Sequence, residues 1–280
     1  MNKFREPPPL KSPKYIKRTR TRRIVRGILA LAFFLTIVGG VSYFSRYPLF
    51  VVSSIIVTGN AEMLEEDLRA AVEKNLEGNV AFVFARKSAM FYPKKGMESS
   101  LLKAFPRVER VVVSRVGLNT LSVEVMVRTP YALWCGAEKN DVAKDCFFLD
   151  NQGLIFAPAP SFSGEAYFVF FGGVFDDPIG SRYLPLGDFE NINQFVRQLR
   201  NEDIPVYALL HGTDGDYTAF LKNQAGEESR ILFSTEDSLE TTLHNLEVLW
   251  KEKKLGSRGG ARLNYIDVRF GNKIYYTVKQ

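Results

Sequence analysis

The sequence predicts an α+β protein in three parts: a single transmembrane helix, a β-α-α-β-β unit, and a strand-rich β-domain with two amphipathic helices. Three observations predict it. Residues 1–26 hold ten Lys/Arg against one acid, Glu6, and the uncharged apolar run Gly27–Phe44 follows at once. Residues 46–129 then switch between strand-like alternation and helical spacing. Beyond Thr129, short β-branched and aromatic runs dominate, interrupted by two apolar stripes of helical period.

The membrane segment comes first. At about 1.5 Å per residue its eighteen positions cover roughly 27 Å, close to the hydrocarbon thickness of a bilayer. Lys/Arg crowding one flank hold that flank in the cytoplasm, so residues 1–26 read as a basic cytoplasmic tail, 27–45 as the membrane helix and Arg46 onward as exported. A cleaved signal is the alternative, but Val41-Ser42-Tyr43-Phe44-Ser45-Arg46 offers no small-residue cleavage site. Pro7-Pro8-Pro9, Pro13 and the charge density predict a disordered tail. The chain is +6 overall and the tail alone +9, which leaves about −3 for the exported part. The high pI therefore belongs to the tail. Polybasic residues beside a membrane helix set topology and touch anionic lipid. With only Phe4 and Tyr15 among them, they lack the aromatic interleaving of a nucleic-acid surface.

In the first exported unit, Val51–Thr58 is β-branched and ends on the turn pair Gly59-Asn60. Leu64, Leu68, Ala71, Val72 and Leu76 follow at helical spacing and stop at Gly78. A shorter helix is expected over Gly96–Ala104, then strands over Val108–Val116 and Thr120–Arg128, joined by Gly117-Leu118-Asn119. In the last of these, Leu121, Val123, Val125 and Val127 share one face, and Thr120, Ser122, Glu124 and Met126 the other.

The second exported unit starts with Tyr131–Trp134 and Phe147–Leu149, which flank Cys135 and Cys146. In an oxidising compartment that spacing suits a disulfide across the mouth of a hairpin loop; two unlinked thiols are the alternative. Further strands are expected at Ala166–Phe171, Val206–Leu210, Tyr217–Lys222, Arg230–Phe233, Leu263–Phe270 and Lys273–Lys279, with Gly271-Asn272 as a two-residue hairpin turn. Asp188 is expected to cap a helix bearing Ile192, Phe195, Val196 and Leu199. Ser234-Thr235-Glu236-Asp237 is expected to start another, with Leu239, Leu243, Leu246, Leu249 and Trp250 as its buried stripe. Lys251–Ala261 reads as a charged, glycine-rich loop.

Chemistry-bearing constellations are scarce. His211 and His244 have no neighbouring nucleophile or ligand-spaced partner in sequence, and Asp214-Gly215-Asp216 lacks the later glutamate of a calcium loop. No G-x-S-x-G, H-E-x-x-H or phosphate-cradling glycine loop is present. The expectation is a protein that is not an enzyme, with no cofactor, metal or small-molecule substrate; a cell-wall peptide hydrolase is the enzymatic alternative. What remains is a binding surface. A last strand commonly lies at a sheet edge, where unpaired backbone groups can template another chain; an ordinary core strand with a charged end is the alternative. In Lys273, Ile274, Tyr275, Tyr276, Thr277, Val278 and Lys279 the faces alternate: Ile274, Tyr276 and Val278 on one, Lys273, Tyr275, Thr277 and Lys279 on the other. One tyrosine of the pair is expected to be exposed for binding and the other buried.

Several stretches resemble the FtsQ/DivIB family of bacterial cell-division proteins. Phe50-Val51-Val52-Ser53-Ser54-Ile55-Ile56-Val57-Thr58-Gly59-Asn60 is similar to the opening of that family's POTRA domain. Phe105-Pro106-Arg107-Val108 and Val127-Arg128-Thr129-Pro130-Tyr131-Ala132-Leu133-Trp134 resemble its P-x-V and E-R-x-P-x-A-x-W stretches. Leu149-Asp150-Asn151-Gln152-Gly153 resembles its D-x-x-G turn, and Tyr265-Ile266-Asp267-Val268-Arg269-Phe270-Gly271-Asn272-Lys273 its terminal strand pair. Val127 stands where that family has Glu, Gly117-Leu118-Asn119 lacks its proline, and residues 155–230 carry no matching motif. The resemblance implies a POTRA domain over 46–129 and the family's β-domain over 130–280. It implies a single-pass plasma (inner) membrane protein at the division septum, a scaffold whose C-terminal edge strand receives small bitopic FtsB/FtsL-like partners and so regulates septal peptidoglycan synthesis. A POTRA-bearing component of outer-membrane protein assembly or secretion is the alternative.

Overall fold

The computed structural model describes residues 13–59, 65–80, 84–139, 145–162, 165–212, 215–223, 225–253, 255, 263–271 and 273–278. It is mixed helix and sheet, with one apolar N-terminal helix and a strand-rich C-terminal region. The chain divides into two compact units, Met1–Leu101 with Val111–Val125, and Leu102–Arg110 with Met126–Gln280.

The first unit opens with α1, Pro13–Ser45. Its Thr21–Ser45 portion is long and apolar enough to cross a membrane, spanning about 37 Å at helical rise. Ile28, Leu31, Phe33, Phe34 and Leu35 all stand exposed on it. A three-stranded sheet follows in the order β1 (Ser54–Gly59), β5 (Thr120–Val127), β4 (Val108–Arg115). β1 runs parallel to β5, with Ser54 opposite Thr120 and Gly59 opposite Val125. Gly59 sits at φ +111°, and a Cβ there would lie 2.0 Å from the Val125 carbonyl oxygen, so only glycine lets the two strands meet. Helices α2 (Glu65–Asn75) and α3 (Lys94–Ala104) bury Leu68 and Val72, and Met97 and Leu101. Leu121, Val123 and Val125 of β5 are buried too, so the alternation read in the sequence is the alternation of the strand.

Four expectations change here. The tail expected to be disordered is helical from Pro13 onward, and residues 1–12 lie outside the described residues. Val51 is outside β1 and makes an isolated bridge to Ser88, because Val52 and Ala89 trade backbone hydrogen bonds with Lys87 and Phe50. A small hairpin, β2 (Asn79–Val80) with β3 (Phe84–Ala85), stands between the helices. It is too short for periodicity to mark. The second helix starts at Lys94 rather than Gly96, directly after Pro93.

In the second unit the described residues form one nine-stranded sheet, ordered β14-β13-β12-β11-β10-β9-β6-β7-β8. The strands are β6 (Ala132–Trp134), β7 (Phe147–Leu149), β8 (Ile155–Pro158), β9 (Phe168–Phe171), β10 (Val206–His211), β11 (Asp216–Lys222), β12 (Glu228–Ser234), β13 (Leu263–Phe270) and β14 (Lys273–Val278). Parallel neighbours cannot be joined by a tight turn. β9 accordingly reaches β10 through α4 (Leu186–Asn201), and β12 reaches β13 through α5 (Leu239–Glu252). Phe189, Ile192, Phe195, Val196 and Leu199 of α4 and Leu246, Leu249 and Trp250 of α5 join Phe170, Phe233, Ile266 and Val268 in one core.

Helix starts and one strand differ from expectation. α4 begins at Leu186 after an extended Pro185, and Asp188 lies in its first turn rather than at the cap, where its charge favours the helix N-terminus. Ser234 is not a helix start. It is buried in β12 opposite Asp216, and the N-cap of α5 is Ser238, whose Oγ accepts from the Thr241 N–H. β8 has no counterpart in the sequence reading, although Ile155, Phe156 and Ala157 are all buried in it. The supposed loop from Lys251 is helical through Glu252, and Leu255 beyond it is buried. Most of the remaining loop, residues 254 and 256–261, lies outside the described residues.

Three of the stretches that carried the resemblance, 105–108, 127–134 and 149–153, meet in this unit. Arg128 pairs with the buried carboxylate of Asp150 and donates from Nε to the Pro106 carbonyl at 3.0 Å. Asp150 Oδ1 accepts from the N–H groups of Gln152 and Leu154, which closes the turn. Gly153 follows at φ +74°, and a Cβ there would meet the Phe189 ring at 2.8 Å. Tyr131 donates from its hydroxyl to Asn193 Oδ1 at 2.8 Å, tying β6's entry to α4.

Candidate partner-binding edge

β13 supplies the support for the edge. Ile266 and Val268 point into the core, so Asp267 must face the other side of the sheet, yet it is only 8 % exposed. Arg269 satisfies it. Nε and Nη2 donate to the two Asp267 oxygens at 2.9 and 2.7 Å, and Nη1 donates to Asp216 Oδ2 at 2.6 Å. These bonds hold the Asp267 carboxyl below the usual aspartate range, and they raise Arg269 above its ordinary value, Asp267 contributing more than Asp216. The clamp stitches β13 to β11 across the intervening β12. Neither residue was assigned a role from the sequence. The signal that could have found them is the i, i+2 Asp-x-Arg spacing, which puts both on one face of a strand.

β14 pairs with β13 antiparallel, Tyr265 opposite Thr277, Ile266 opposite Tyr276, Asp267 opposite Tyr275 and Phe270 opposite Lys273. It is the terminal strand of the sheet, and among the described residues no strand pairs with its outer side. Ile274 packs against the core's margin. Tyr276 and Val278 share its face but remain 38 % and 45 % exposed, because the core's apolar cover ends there. On the opposite face Tyr275 is 51 % exposed, and its ring meets Phe270 edge-on at 5.4 Å. The expectation that one of the two tyrosines would be buried is therefore corrected: both are exposed. Asn264 Nδ2 donates to Thr277 Oγ1 at 3.3 Å, the only polar side-chain tie to β14 among the described residues. Lys279 and the turn residue Asn272 lie outside the described residues. Among the described residues the strand thus offers an unpaired backbone edge with a large ring on each face.

The other candidates resolve differently. Cys135 and Cys146 are joined by a disulfide with their Cα atoms 4.2 Å apart, one step beyond the Trp134–Phe147 pair that ends the β6–β7 ladder. His244 is exposed on α5. His211 ends β10 with its ring stacked on Tyr217 at 4.9 Å; burial lowers its pKa, and Asp188 partly opposes that. Burial and the nearby Asp188 push the Tyr217 hydroxyl up to about 12. His211, Tyr217 and Asp188 line an open cleft of about 890 Å³ beside the N-terminal turns of α4 and α5. Asp214 lies outside the described residues, and Asp216 is committed to Arg269. Among the described residues no group of three or more His, Cys, Asp or Glu is placed to hold a metal ion.

No protein-family model matches the chain, and no curated protein matches it.

Proposed function

We propose that this protein is a bitopic membrane scaffold of the FtsQ/DivIB kind, which links small single-pass division proteins on the outer face of the plasma membrane at the septum. The observation that carries the reading is β14: an edge strand with one free side, two exposed tyrosines, and a support strand locked by the Asp267–Arg269 clamp. An incoming strand would gain main-chain hydrogen bonds from the edge, and Tyr275 and Tyr276 would give it contact area on both faces. The motif resemblance supplies the identity of the partners, FtsB/FtsL-like chains. The β1-α2-α3-β4-β5 order, interrupted only by the β2–β3 hairpin among the described residues and with β1 beside β5, supports a POTRA domain ahead of the edge-bearing unit. On this reading the mechanism is assembly, with no bond made or broken in a substrate.

The test is co-purification from detergent-solubilised membranes, comparing the full chain with one ending at Phe270. Small bitopic partners should be captured by the first and lost by the second, with the truncated chain still folded by circular dichroism. Full capture by a folded truncated chain would move the binding surface elsewhere. Capture of a barrel or secretion component instead would replace the division reading with an assembly one.

A further inference from the structure

Beside the C-terminal end of α1 the first unit gathers a collar of basic and aromatic side chains. Two segments build it, 43–52 and 84–95, held together by hydrogen bonds. The Ala85 N–H donates to Ser45 Oγ, the Val52 N–H to the Lys87 carbonyl at 2.8 Å, and the Ala89 N–H to the Phe50 carbonyl at 2.8 Å. Ser45, the last residue of α1, is buried by this packing. The second segment is therefore fixed beside the point where the apolar helix ends.

These segments contain Arg46, Arg86, Lys87, Lys94 and Lys95 and no acid. Lys94 is within 3.8 Å of Glu98, whereas Arg46, Arg86 and Lys87 form no ion pair among the described residues. Glu73 and Glu77, on the α2 side, share a cleft of about 560 Å³ with Lys87. Tyr43, Phe44, Tyr47, Leu49 and Met90 are 72, 63, 45, 57 and 58 % exposed. In water that apolar exposure is unfavourable. At a membrane interface it is not, because tyrosine bodies settle at headgroup depth and cations meet lipid phosphates.

We propose that this collar is a docking surface for anionic lipid headgroups, holding the first unit against the membrane from which α1 emerges. The occupant follows from continuity: the apolar collar continues the apolar surface of α1, and its charge is of one sign. The inference rests on the reading of α1 as a membrane span.

The full chain, reconstituted in nanodiscs, tests it. An environment-sensitive dye is placed on Met90→Cys, on Leu31→Cys within α1, or on Asp177→Cys in the second unit as the aqueous control. Nitroxide lipids then report contact in phosphatidylcholine discs with or without phosphatidylglycerol. Leu31→Cys should be quenched in both lipids and Asp177→Cys in neither. Met90→Cys should be quenched about twofold more in anionic discs, and the variant R46Q/R86Q/K87Q should erase that difference. A dye on Leu31→Cys that escapes quenching overturns the membrane reading itself. If Leu31→Cys is quenched and Met90→Cys is not, the collar proposal fails alone. Equal quenching of Met90→Cys in both lipids, or quenching unchanged in the triple variant, overturns the anionic headgroup. Shielding of Met90→Cys from aqueous iodide without lipid quenching would identify a protein occupant instead, and also overturns it.

Discussion

At the scale of single residues, the Asp267–Arg269 clamp makes the sharpest demands. Asp267 has a depressed pKa in the folded chain, so its contribution to stability is present above the ordinary aspartate value of 3.8 and is lost as pH falls through the lower folded value. Asp267→Asn should therefore destabilise the full chain at neutral pH, and the gap from the unsubstituted chain should narrow as pH falls below 3.8 in urea titrations. Arg128→Ala should cost about 3 kcal/mol in the same assay, because it strands the buried Asp150 carboxylate without its cation. The tyrosines of β14 should behave in the opposite way. With both rings exposed, Tyr275→Ala and Tyr276→Ala should each weaken partner capture by about 1–3 kcal/mol while leaving the melting curve nearly unchanged. Loss of fold in either variant would mean that its ring is core after all. Tyr15→Ala in the tail is the control and should change neither.

At the scale of elements, β14 has one neighbour and the disulfide lies far from it. Proline removes a backbone donor and fixes φ, so on the proposed function Thr277→Pro should abolish capture of an FtsB-like partner in pull-downs. The Cys135–Cys146 bond closes a short loop on β6 and β7, and its loss should lower stability by about 2–3 kcal/mol in denaturant titrations run with and without reductant. Partner capture should persist. β6 stands six places from β14 in the sheet, about 29 Å at ordinary strand spacing. Capture that collapses on reduction would show that the edge and the disulfide are coupled through the sheet.

For the whole molecule, the prediction concerns sidedness. With Lys/Arg crowded on the flank before the apolar run, protease added to intact spheroplasts should remove the chain from Arg46 onward and spare the tail. Protection of residues 46–129 would reverse the orientation. The same asymmetry explains why the chain is basic although the part after the apolar run is slightly negative: the cations are concentrated in one short tail.

Much of the architecture was legible because it is local. The uncharged run of α1, the alternation of β5 and the stripe Ile192-Phe195-Val196-Leu199 are each written in consecutive side chains, and β13 was read to its last residue. The positions where local reading failed are those where distant residues decide. Ser234 has the composition of a helix start, but its place opposite Asp216 in the ladder makes it strand. β8 is too short to carry a period and exists through its pairing with β7. The candidate site divides along the same line. The sequence determined which residues form the last strand and which alternate on its faces. The tertiary structure alone decided that β14 is the terminal strand, that apolar cover ends at Ile274 so both tyrosines stay exposed, and that Arg269 bridges Asp267 to Asp216. Strand order and helix cover are set by contacts between residues far apart in the chain, and no window of neighbouring residues contains them.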